Sequence, residues 1–284
     1  MVFERYSAVI IEFHSGDYLF KCIDSLMKQD IRPTKIVVVN NGTSKNTLSR
    51  LQDIDIVQTI NPSQNLGYAK AANLGINNTD TQIVATLNPD IILESDCASY
   101  ILETMSKDSK VGAVGPLIYE TDETIYPSAR INPSLKIALG HAVFSLFTKD
   151  NKYTRKYLNA DIDKSRPSQV DWLSGAAIFL NRDALNASGM WDERYFMYCE
   201  DIDLCNTLND NGYRCIYDPR AKIIHKGAVS TSSMPIKLLV QHHKSLFLYS
   251  QKKYRNKPIL KILAMVFIAL RLPLAIVKKI FHID

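Results

Sequence analysis

The segment Ser7-Ala-Val-Ile-Ile-Glu12 is followed by the amphipathic stretch Tyr18–Gln29 and then by Lys35-Ile-Val-Val-Val39. The two short apolar runs are typical of buried strands, and the stretch between them gathers its apolar side chains on one helical face. A strand, a helix and a second strand in this order indicate a βαβ unit. We therefore predict an α/β fold built on a mixed, mainly parallel sheet that is flanked by helices.

The same alternation continues to residue 115. Further helices are predicted at 44–52, 67–77 and 94–105, and further strands at 54–60, 82–87 and 111–114. Ligands of such sheets bind beyond the carboxyl ends of the strands. The polar residues that follow these strand ends are Phe13-His14, Asn40-Asn41, Asn61 and Asn88-Pro89-Asp90. We expect them to share one edge of the sheet.

The middle of the chain is less regular. Residues 116–170 contain several prolines, and we expect a variable insertion or a substrate lid there. Residues 171–230 are rich in aromatic and acidic side chains and end in two short predicted strands, 214–217 and 222–224. From about residue 235 to residue 284 we predict a helical C-terminal extension.

Composition excludes several protein classes. The 284 residues are 46% apolar and 22% charged, which argues against a disordered, collagen-like or polytopic membrane protein. Five cysteines without a CxxC pair argue against a disulfide framework or a structural zinc site. The N-terminus does not resemble a signal peptide, so we expect a cytoplasmic protein. A net charge of +5 does not by itself indicate nucleic acid, and none is predicted as a partner.

The positive charge is concentrated at the C-terminus. Residues 257–284 carry four Lys and one Arg against a single Asp, a local excess of +4 (5 − 1). We predict that one helix places these cations on a basic stripe beside apolar residues; they are Lys257, Lys261, Arg271, Lys278 and Lys279. Such a helix suits a membrane surface. Packing on the domain and a homodimer contact remain alternatives.

Three patterns could carry chemistry. Asp90 follows a buried strand and a proline, where a carboxylate can hold a divalent cation against a diphosphate, although Asn-Pro-Asp is also an ordinary turn. Glu200 and Asp201 open a predicted helix, either as general bases or as acids that stabilise a helix N-terminus. His225 becomes a metal ligand only if a carboxylate converges on it.

Two further segments are weaker signals. Trp172 and Gly175 could form an aromatic platform and a close-approach loop, or could belong to the core. Asn65-Leu-Gly67 opens a helix whose free amides could meet an anion. The chain has neither GxxxxGK[ST] nor a GxGxxG after the first strand, which weakens NTPase and dehydrogenase interpretations.

The order of these motifs resembles the family 2 inverting glycosyltransferases of the GT-A fold, and most closely their bacterial rhamnosyltransferase-type branch. The resemblance covers about residues 7–230. The matching stretches are Ala8–His14, Val37–Thr43, Asn65–Gly75, Leu87–Asp90, Trp172–Ala176 and Gly189-Met-Trp-Asp-Glu-Arg-Tyr-Phe-Met-Tyr-Cys-Glu-Asp-Ile-Asp-Leu204. The last stretch is long and specific, whereas the first two are generic to nucleotide-sugar folds.

The resemblance implies a role for each matching residue. Asp201 would be the catalytic base with Glu200 beside it, and Asp90 with His225 would hold Mg²⁺ or Mn²⁺. Trp172, Gly175 and Asp192 would line the sugar and acceptor pocket. The donor-binding residues would be Phe13, Asn40, Asn41, Asn65, Gly67, Lys70, Asn88 and Asp90. Two residues depart from the family pattern, which usually has Asp at position 40 and Thr at position 12.

The resemblance also implies substrates and organisation. Residues 1–234 would form the GT-A domain, with a nucleotide-sugar-binding half (1–115) and an acceptor half (116–234). The implied donor is dTDP-L-rhamnose and the implied acceptor a glycan or lipid-linked glycan at the inner face of the cell membrane, where the protein would be peripheral. A UDP-hexose transferase, a non-catalytic nucleotide-sugar-binding or scaffold protein on the same fold, and a nucleotidyltransferase remain alternatives.

Overall fold

The computed structural model describes residues 3, 5–132, 134–144, 148, 150–226 and 236–280, apart from the side chains of Leu135, Ala142 and Lys278. Its strands are β1 (Tyr6–Glu12), β2 (Lys35–Asn40), β3 (Val57–Ile60), β4 (Ile83–Leu87), β5 (Ile91–Leu93), β6 (Val111–Tyr119), β7 (Ile125–Tyr126), β8 (Ala129–Arg130), β9 (Ser168–Val170), β10 (Trp172–Leu173), β11 (Ala177–Asn181) and β12 (Arg214–His225). Its helices are α1 (Asp17–Met27), α2 (Lys45–Gln52), α3 (Tyr68–Ile76), α4 (Cys97–Ser106), α5 (Leu135–Phe144), α6 (Lys152–Tyr157), α7 (Arg182–Ala187), α8 (Glu200–Asp210), α9 (Ile236–Lys253) and α10 (Pro258–Ile280).

A single mixed sheet runs through both predicted halves of the chain. Its strand order is β3-β2-β1-β4-β11-β6-β12-β5, with β7 added beside β6 and β9 beside β12. Strands β3, β2, β1 and β4 are mutually parallel, whereas β11 is antiparallel to its neighbours β4 and β6. The predicted α/β fold with a mixed sheet and flanking helices is confirmed.

The sheet is covered on both faces, which explains its continuous apolar strands. Alternate residues of β1 enter different clusters: Ile10 packs with α1 and α4 on one face, and Val9 packs with α3, α7 and α8 on the other. The polar connections that follow β1, β2 and β4 therefore emerge together at one edge of a three-layer structure.

The middle of the chain is more regular than predicted. Strand β6 extends to Tyr119, and the segment predicted as an insertion contains β7, β8, α5, α6 and β9. The two strands predicted at 214–217 and 222–224 are one strand, β12, because its pairing with β6 resumes after an irregularity between Asp218 and Lys222. The predicted strand 54–60 begins only at Val57. Strands β5 and β11 were not predicted, since a three- or five-residue apolar run has too few periods to be assigned.

The C-terminal extension consists of two helices, α9 and α10, within the described residues. Helix α10 continues through Pro273 and points a row of apolar side chains at solvent, among them Ile259, Leu270 and Leu274. It is the one described helix long and apolar enough to cross a membrane, by length and composition alone. The boundary predicted at 234–235 and the last residues, 281–284, lie outside the described part of the chain.

The prediction of one basic stripe on α10 is wrong in one respect. Arg271 is half-buried and lines an internal cavity, whereas Lys257 and Lys279 are exposed. Arg271 and Lys279 are eight residues apart, so a 100° step per residue separates them by roughly 80° and different neighbours cover them. The solvent-facing side of α10 is mainly apolar.

Candidate active site

Asn40 organises the loop that follows β2. Its Oδ1 accepts hydrogen bonds from the amides of Gly42 (2.9 Å) and Thr43 (2.7 Å), and its Nδ2 donates to Asn61 Oδ1 (2.9 Å). An amide side chain can donate and accept at once, which an ionised Asp at this position could not do. Phe13 is exposed beside this loop, and its ring lies against Gly42. An open aromatic face at a strand end is suited to stacking a base.

Asn41, Asn65 and Gly67 build a rigid turn. Asn41 is buried, accepts from the Leu66 amide (3.1 Å) and donates to the Gly67 carbonyl (2.9 Å), while Asn65 Oδ1 accepts from the Gly67 amide (2.8 Å). The Tyr68 amide donates to the Phe196 carbonyl (2.7 Å). Three of the amides at this helix start, those of Leu66, Gly67 and Tyr68, therefore already have protein acceptors. Lys70 is exposed on α3.

Asp90 and His225 come together where β4 and β12 end. The Asp90 carboxylate lies 3.2 Å from His225 Nε2, and Asn88 Nδ2 lies 3.4 Å from the same nitrogen. His225 Nδ1 is buried and has no hydrogen-bond partner among the described residues. The ring nitrogen that faces the Asp90 carboxylate is Nε2, and a carboxylate and an imidazole nitrogen at this distance fit two ligands of one metal ion.

These two side chains would need help from a substrate to complete a metal site. The described residues contain no group of three or more His, Cys, Asp or Glu that could hold an ion. Mg²⁺ is commonly bound through one or two carboxylates, with substrate phosphates and water filling the other positions. The donor set of Asp90 and His225 therefore fits a cation that is shared with a diphosphate.

Glu200 and Asp201 begin helix α8. Asp201 Oδ2 accepts from the Gly175 amide (3.1 Å), and Oδ1 accepts from the Ile202 amide (2.8 Å). Glu200 is buried, and its Oε2 has no partner among the described residues. Burial and the neighbouring Asp201 raise the pKa of Glu200 to about 8. Burial also raises the pKa of Asp201, but the two amides and the Arg130 charge favour its ionised form.

The two carboxylates therefore have different roles near neutral pH. Glu200, with its pKa of about 8, holds a proton at neutral pH, whereas the Gly175 and Ile202 amides stabilise the ionised form of Asp201. An ionised carboxylate whose oxygens are held by backbone amides is well placed to accept a proton.

Residues 174–176 connect the Asp90 side of the site to Asp201. The Ala176 carbonyl accepts from the Asn88 amide (2.8 Å), and the adjacent Gly175 donates its amide to Asp201. Tyr68 Oη donates to the Gly175 carbonyl (2.7 Å) and holds this loop from α3. The candidate metal ligands and the candidate base are thus joined by a short, hydrogen-bonded segment.

Asp201 and Glu200 open onto a cavity of about 350 Å³. The cavity is walled by β7, β8, α5 and α8 and closed by both C-terminal helices, through residues such as His242, Lys253 and Arg271. Tyr126 lines it, and the Tyr126 ring centroid lies 6.3 Å from that of His225. The candidate base therefore lines the cavity, and the wall residue Tyr126 is in ring contact with His225 outside it.

Trp172 lines this cavity, but its ring is not an open platform. The side chain is buried, its Nε1 donates to the Ile131 carbonyl (3.2 Å), and the Arg130 guanidinium lies 4.8 Å from its ring centroid. Arg130 also stands over Tyr126 and Tyr157. A cation held by three rings presents positive charge to the cavity next to Asp201.

Asp192 does not line this cavity, contrary to expectation. It borders a separate depression and pairs with Arg194 (2.6 Å) and Lys252 (3.6 Å). Arg194 lowers the pKa of Asp192 chiefly through their hydrogen bond. The structure therefore places Asp192 and Trp172 on different depressions of the surface.

Sequence reasoning missed Arg130, Tyr157, His242 and Arg271. They come from four elements, β8, α6, α9 and α10, and none belongs to a motif. The sequence carried a signal for Arg271 alone, because this arginine lies within the apolar segment 259–277. An arginine that faces a protein core is normally paired with an opposite charge.

Comparisons with known proteins identify the fold and the family. Two solved structures share the fold: a mannosyltransferase from Pyrobaculum calidifontis in complex with GDP-Man and Mn²⁺ (TM-score 0.61, 16% identity, 97% of this chain and 72% of that one) and GalNAc-T7 with UDP, GalNAc and Mn²⁺ (TM-score 0.59, 15% identity, 88% and 50%). These structures show that the chain has the GT-A fold.

The sequence comparisons identify the family to which the chain belongs. The sequence model of Glycosyl transferase family 2 matches residues 7–187. The N-acetylglucosaminyl-diphospho-decaprenol L-rhamnosyltransferase of Mycobacterium tuberculosis is 34% identical, over 85% of this chain and 82% of that protein. The rhamnosyltransferase WbbL of Escherichia coli K12 is 27% identical, over 86% and 92%. The chain belongs to glycosyl transferase family 2 and is a rhamnosyltransferase-like, inverting glycosyltransferase.

Proposed function

We propose that the protein transfers L-rhamnose from dTDP-L-rhamnose to a hydroxyl of a lipid-linked glycan in cell-surface polysaccharide synthesis. The observation that carries the proposal is the segment 174–176, which is hydrogen-bonded to Asn88, two residues before Asp90, and to Asp201. Such a connection would keep a diphosphate and a catalytic base at a constant separation. The names of the two rhamnosyltransferase relatives support the choice of sugar and acceptor.

Asp90 and His225 are proposed to hold Mg²⁺ or Mn²⁺ together with the donor diphosphate. When bound, such a cation offsets negative charge on the departing nucleoside diphosphate. Phe13 is proposed to stack on the base, with the loop of Asn40 and Asn41 against the nucleoside. Asn88 orients His225 through their side chains. The turn at Asn65 and Gly67 is proposed to support the loop of Asn40 and Asn41. Exposed Lys70 is proposed to lie at the edge of the donor site.

Asp201 is proposed to act as the general base. Its carboxylate takes the proton of the acceptor hydroxyl while that oxygen forms a bond to the anomeric carbon. The bond from this carbon to the diphosphate oxygen breaks on the opposite face, with its electron pair staying on the diphosphate, so the configuration inverts. Because Glu200 is protonated, it places no second negative charge beside Asp201. The Gly175 amide positions the Asp201 carboxylate, and this positioning contributes to the rate of transfer.

The C-terminal helices are proposed to bring the enzyme to its acceptor. The outward face of α10 combines exposed Leu270 and Leu274 with cations at its ends, as in helices that lie in a membrane interface. Anionic lipids attract such cations at the cytoplasmic surface. We propose a peripheral protein of one GT-A domain, residues 1–234, and a membrane-binding extension, residues 235–284. A homodimer through the same apolar face would appear as a stable dimer in detergent-free solution.

The proposed function is tested by Asp201→Asn in a transfer assay with dTDP-L-rhamnose and a GlcNAc-diphospho-lipid. We expect kcat to fall by about 10²- to 10⁴-fold with little change in donor affinity, since general-base catalysis contributes that much. A thermal-shift screen of dTDP- and UDP-sugars with and without Mn²⁺ identifies the donor. Near-wild-type turnover by Asp201→Asn would refute Asp201 as the general base. Stabilisation by UDP-hexoses alone would refute dTDP-L-rhamnose as the donor. Donor binding without transfer by the wild-type protein would indicate a nucleotide-sugar-binding protein.

A further inference from the structure

The Arg271 side chain lines the cavity, and no acidic side chain of the described residues lies beside it. It is half-buried on α10, and no carboxylate of the described residues lies within 4.0 Å of its guanidinium. Two histidines in the same cavity are neutral at pH 7: burial and the Arg271 charge lower the pKa of His242 to about 4, and burial is the main reason that the pKa of His141 is lowered. A sheltered cation without a counter-charge is costly unless an anion joins it.

Two more cations line the same cavity. Lys253 belongs to α9, and although burial lowers its pKa to about 8, it is mostly charged at neutral pH. Arg130 lies over the ring of Trp172. The carboxylates that line the cavity are Glu200, which holds a proton, and Asp201. Among the described residues that line the cavity, positive charges therefore outnumber the single negative charge of Asp201. A cavity with this excess of positive charge suits an anionic ligand.

An apolar groove of about 580 Å³ adjoins this cavity. It runs between α5 and the start of α10 and is lined by Leu139, Val143, Phe144 and Leu260, with Lys136 at its margin. Leu139 lines both the groove and the cavity, so the two are neighbours. Val143 and Phe144 are exposed, and Ile259 and Leu263 continue the apolar surface on α10. A ligand with an anionic group and a hydrocarbon chain would match both spaces.

We propose that Arg271 and Lys253 bind the diphosphate of a prenyl-diphosphate-linked acceptor, and that the α5–α10 groove receives the first units of its hydrocarbon chain. As a deepening of the proposed function, this assigns the acceptor class to residues outside the family 2 match at 7–187. The sugar, the diphosphate and the hydrocarbon chain of the acceptor would lie in the same order as Asp201, the cationic side chains and the groove. The sugar reaches Asp201, the diphosphate lies at the cationic end of the cavity, and the chain leaves toward the apolar face of α10.

Direct binding tests the subsite without any transfer reaction. Farnesyl diphosphate is the probe in calorimetry with the full chain, in wild type, Arg271→Gln and the matched control Lys279→Gln, which removes an exposed cation from the same helix. Hydrogen bonds to charged groups contribute enough that we expect about 10- to 100-fold weaker binding for Arg271→Gln and wild-type binding for Lys279→Gln. Arg271→Lys keeps the charge and should lose less. Equal binding by wild type and Arg271→Gln overturns the proposal.

Transfer assays separate this proposal from the proposed function. Arg271→Gln should raise KM for a GlcNAc-diphospho-lipid by the same factor and leave KM for a neutral alkyl GlcNAc glycoside unchanged. Equal losses with both acceptors would mean that Arg271 only supports the fold, and would overturn the subsite. If wild type transfers no rhamnose but binds farnesyl diphosphate in an Arg271-dependent way, the proposed function fails and the subsite stands.

Discussion

The Gly175 amide donates a hydrogen bond of 3.1 Å to Asp201 Oδ2, and the Cα of Gly175 faces the Asp201 side chain. A Cβ at position 175 would lie 3.3 Å from Asp201 Cβ and 3.7 Å from Oδ2. The glycine is required because any side chain here would move the candidate base by a few tenths of an ångström. The backbone of the 174–176 loop thus determines where Asp201 stands.

Gly175→Ala should therefore lower kcat more than it lowers stability. We expect a loss of about tenfold, since a misplacement of 1 Å can cost about a hundredfold and this one is smaller. The donor KM should not change. In the Asp201→Asn background the same substitution should have no further effect, because residues that act as a unit are not additive. An additional tenfold loss in that background would contradict the coupling.

Gly67→Ala should destabilise the fold strongly. Gly67 has φ +76°, and a Cβ there would lie 2.2 Å from the Phe196 carbonyl oxygen, which accepts from the Tyr68 amide. Gly189→Ala is the matched control, because Gly189 has φ +83° but nothing within 4 Å of an added Cβ. In urea denaturation we expect a loss of about 1–2 kcal/mol for Gly189→Ala, from backbone strain alone. The loss for Gly67→Ala should be clearly larger, and equal losses would exclude the steric cause.

Metal removal should abolish transfer. Asp90 and His225 provide a carboxylate and an imidazole but no third protein ligand among the described residues. We expect EDTA to stop turnover and Mn²⁺ or Mg²⁺ to restore it. His225→Asn should raise the Mn²⁺ concentration for half-maximal activity by about tenfold or more, and Asp90→Asn should eliminate metal-dependent donor binding in calorimetry. Full activity in EDTA would exclude the metal role.

Glu200 makes the fold less stable as pH rises. Its pKa in the folded protein, about 8, lies above its ordinary value of 4.5, so the folded state binds the extra proton between these values. The stability contributed by this proton is present below pH 4.5 and is lost as pH rises toward 8. Glu200→Gln should therefore stabilise the protein more at pH 8 than at pH 5, measured by urea denaturation at both. A pH-independent effect would contradict the raised pKa.

Acidic substitutions on the outward face of α10 should detach the protein from membranes. Leu270 and Leu274 are each 66% exposed in the isolated chain. Burying one such side chain contributes about 1.5–3 kcal/mol, so Leu270→Asp with Leu274→Asp should reduce binding to anionic vesicles by well over tenfold. Ile125→Asp, an exposed apolar residue on β7, is the control in co-sedimentation. Unchanged binding by the double variant would exclude this face as the membrane contact.

The first 115 residues were largely predictable because their structure is local. The βαβ pattern places apolar residues with a period of two or 3.6, and the polar residues that follow β1, β2 and β4 must meet at one edge of a parallel sheet. Asp90, His225, Glu200 and Asp201 were likewise found from motifs. Their roles stay predictions until they are tested.

The tertiary structure decided what surrounds Asp201. Arg130, Asp201 and Arg271 line one cavity because β8, α8 and α10 pack around it, although Arg130 and Arg271 are 141 residues apart in the chain (271 − 130). Asp192, which belongs to the most specific motif, lines a different depression. Sequence periodicity reports which face of an element is buried, but it carries no information about which distant element covers that face.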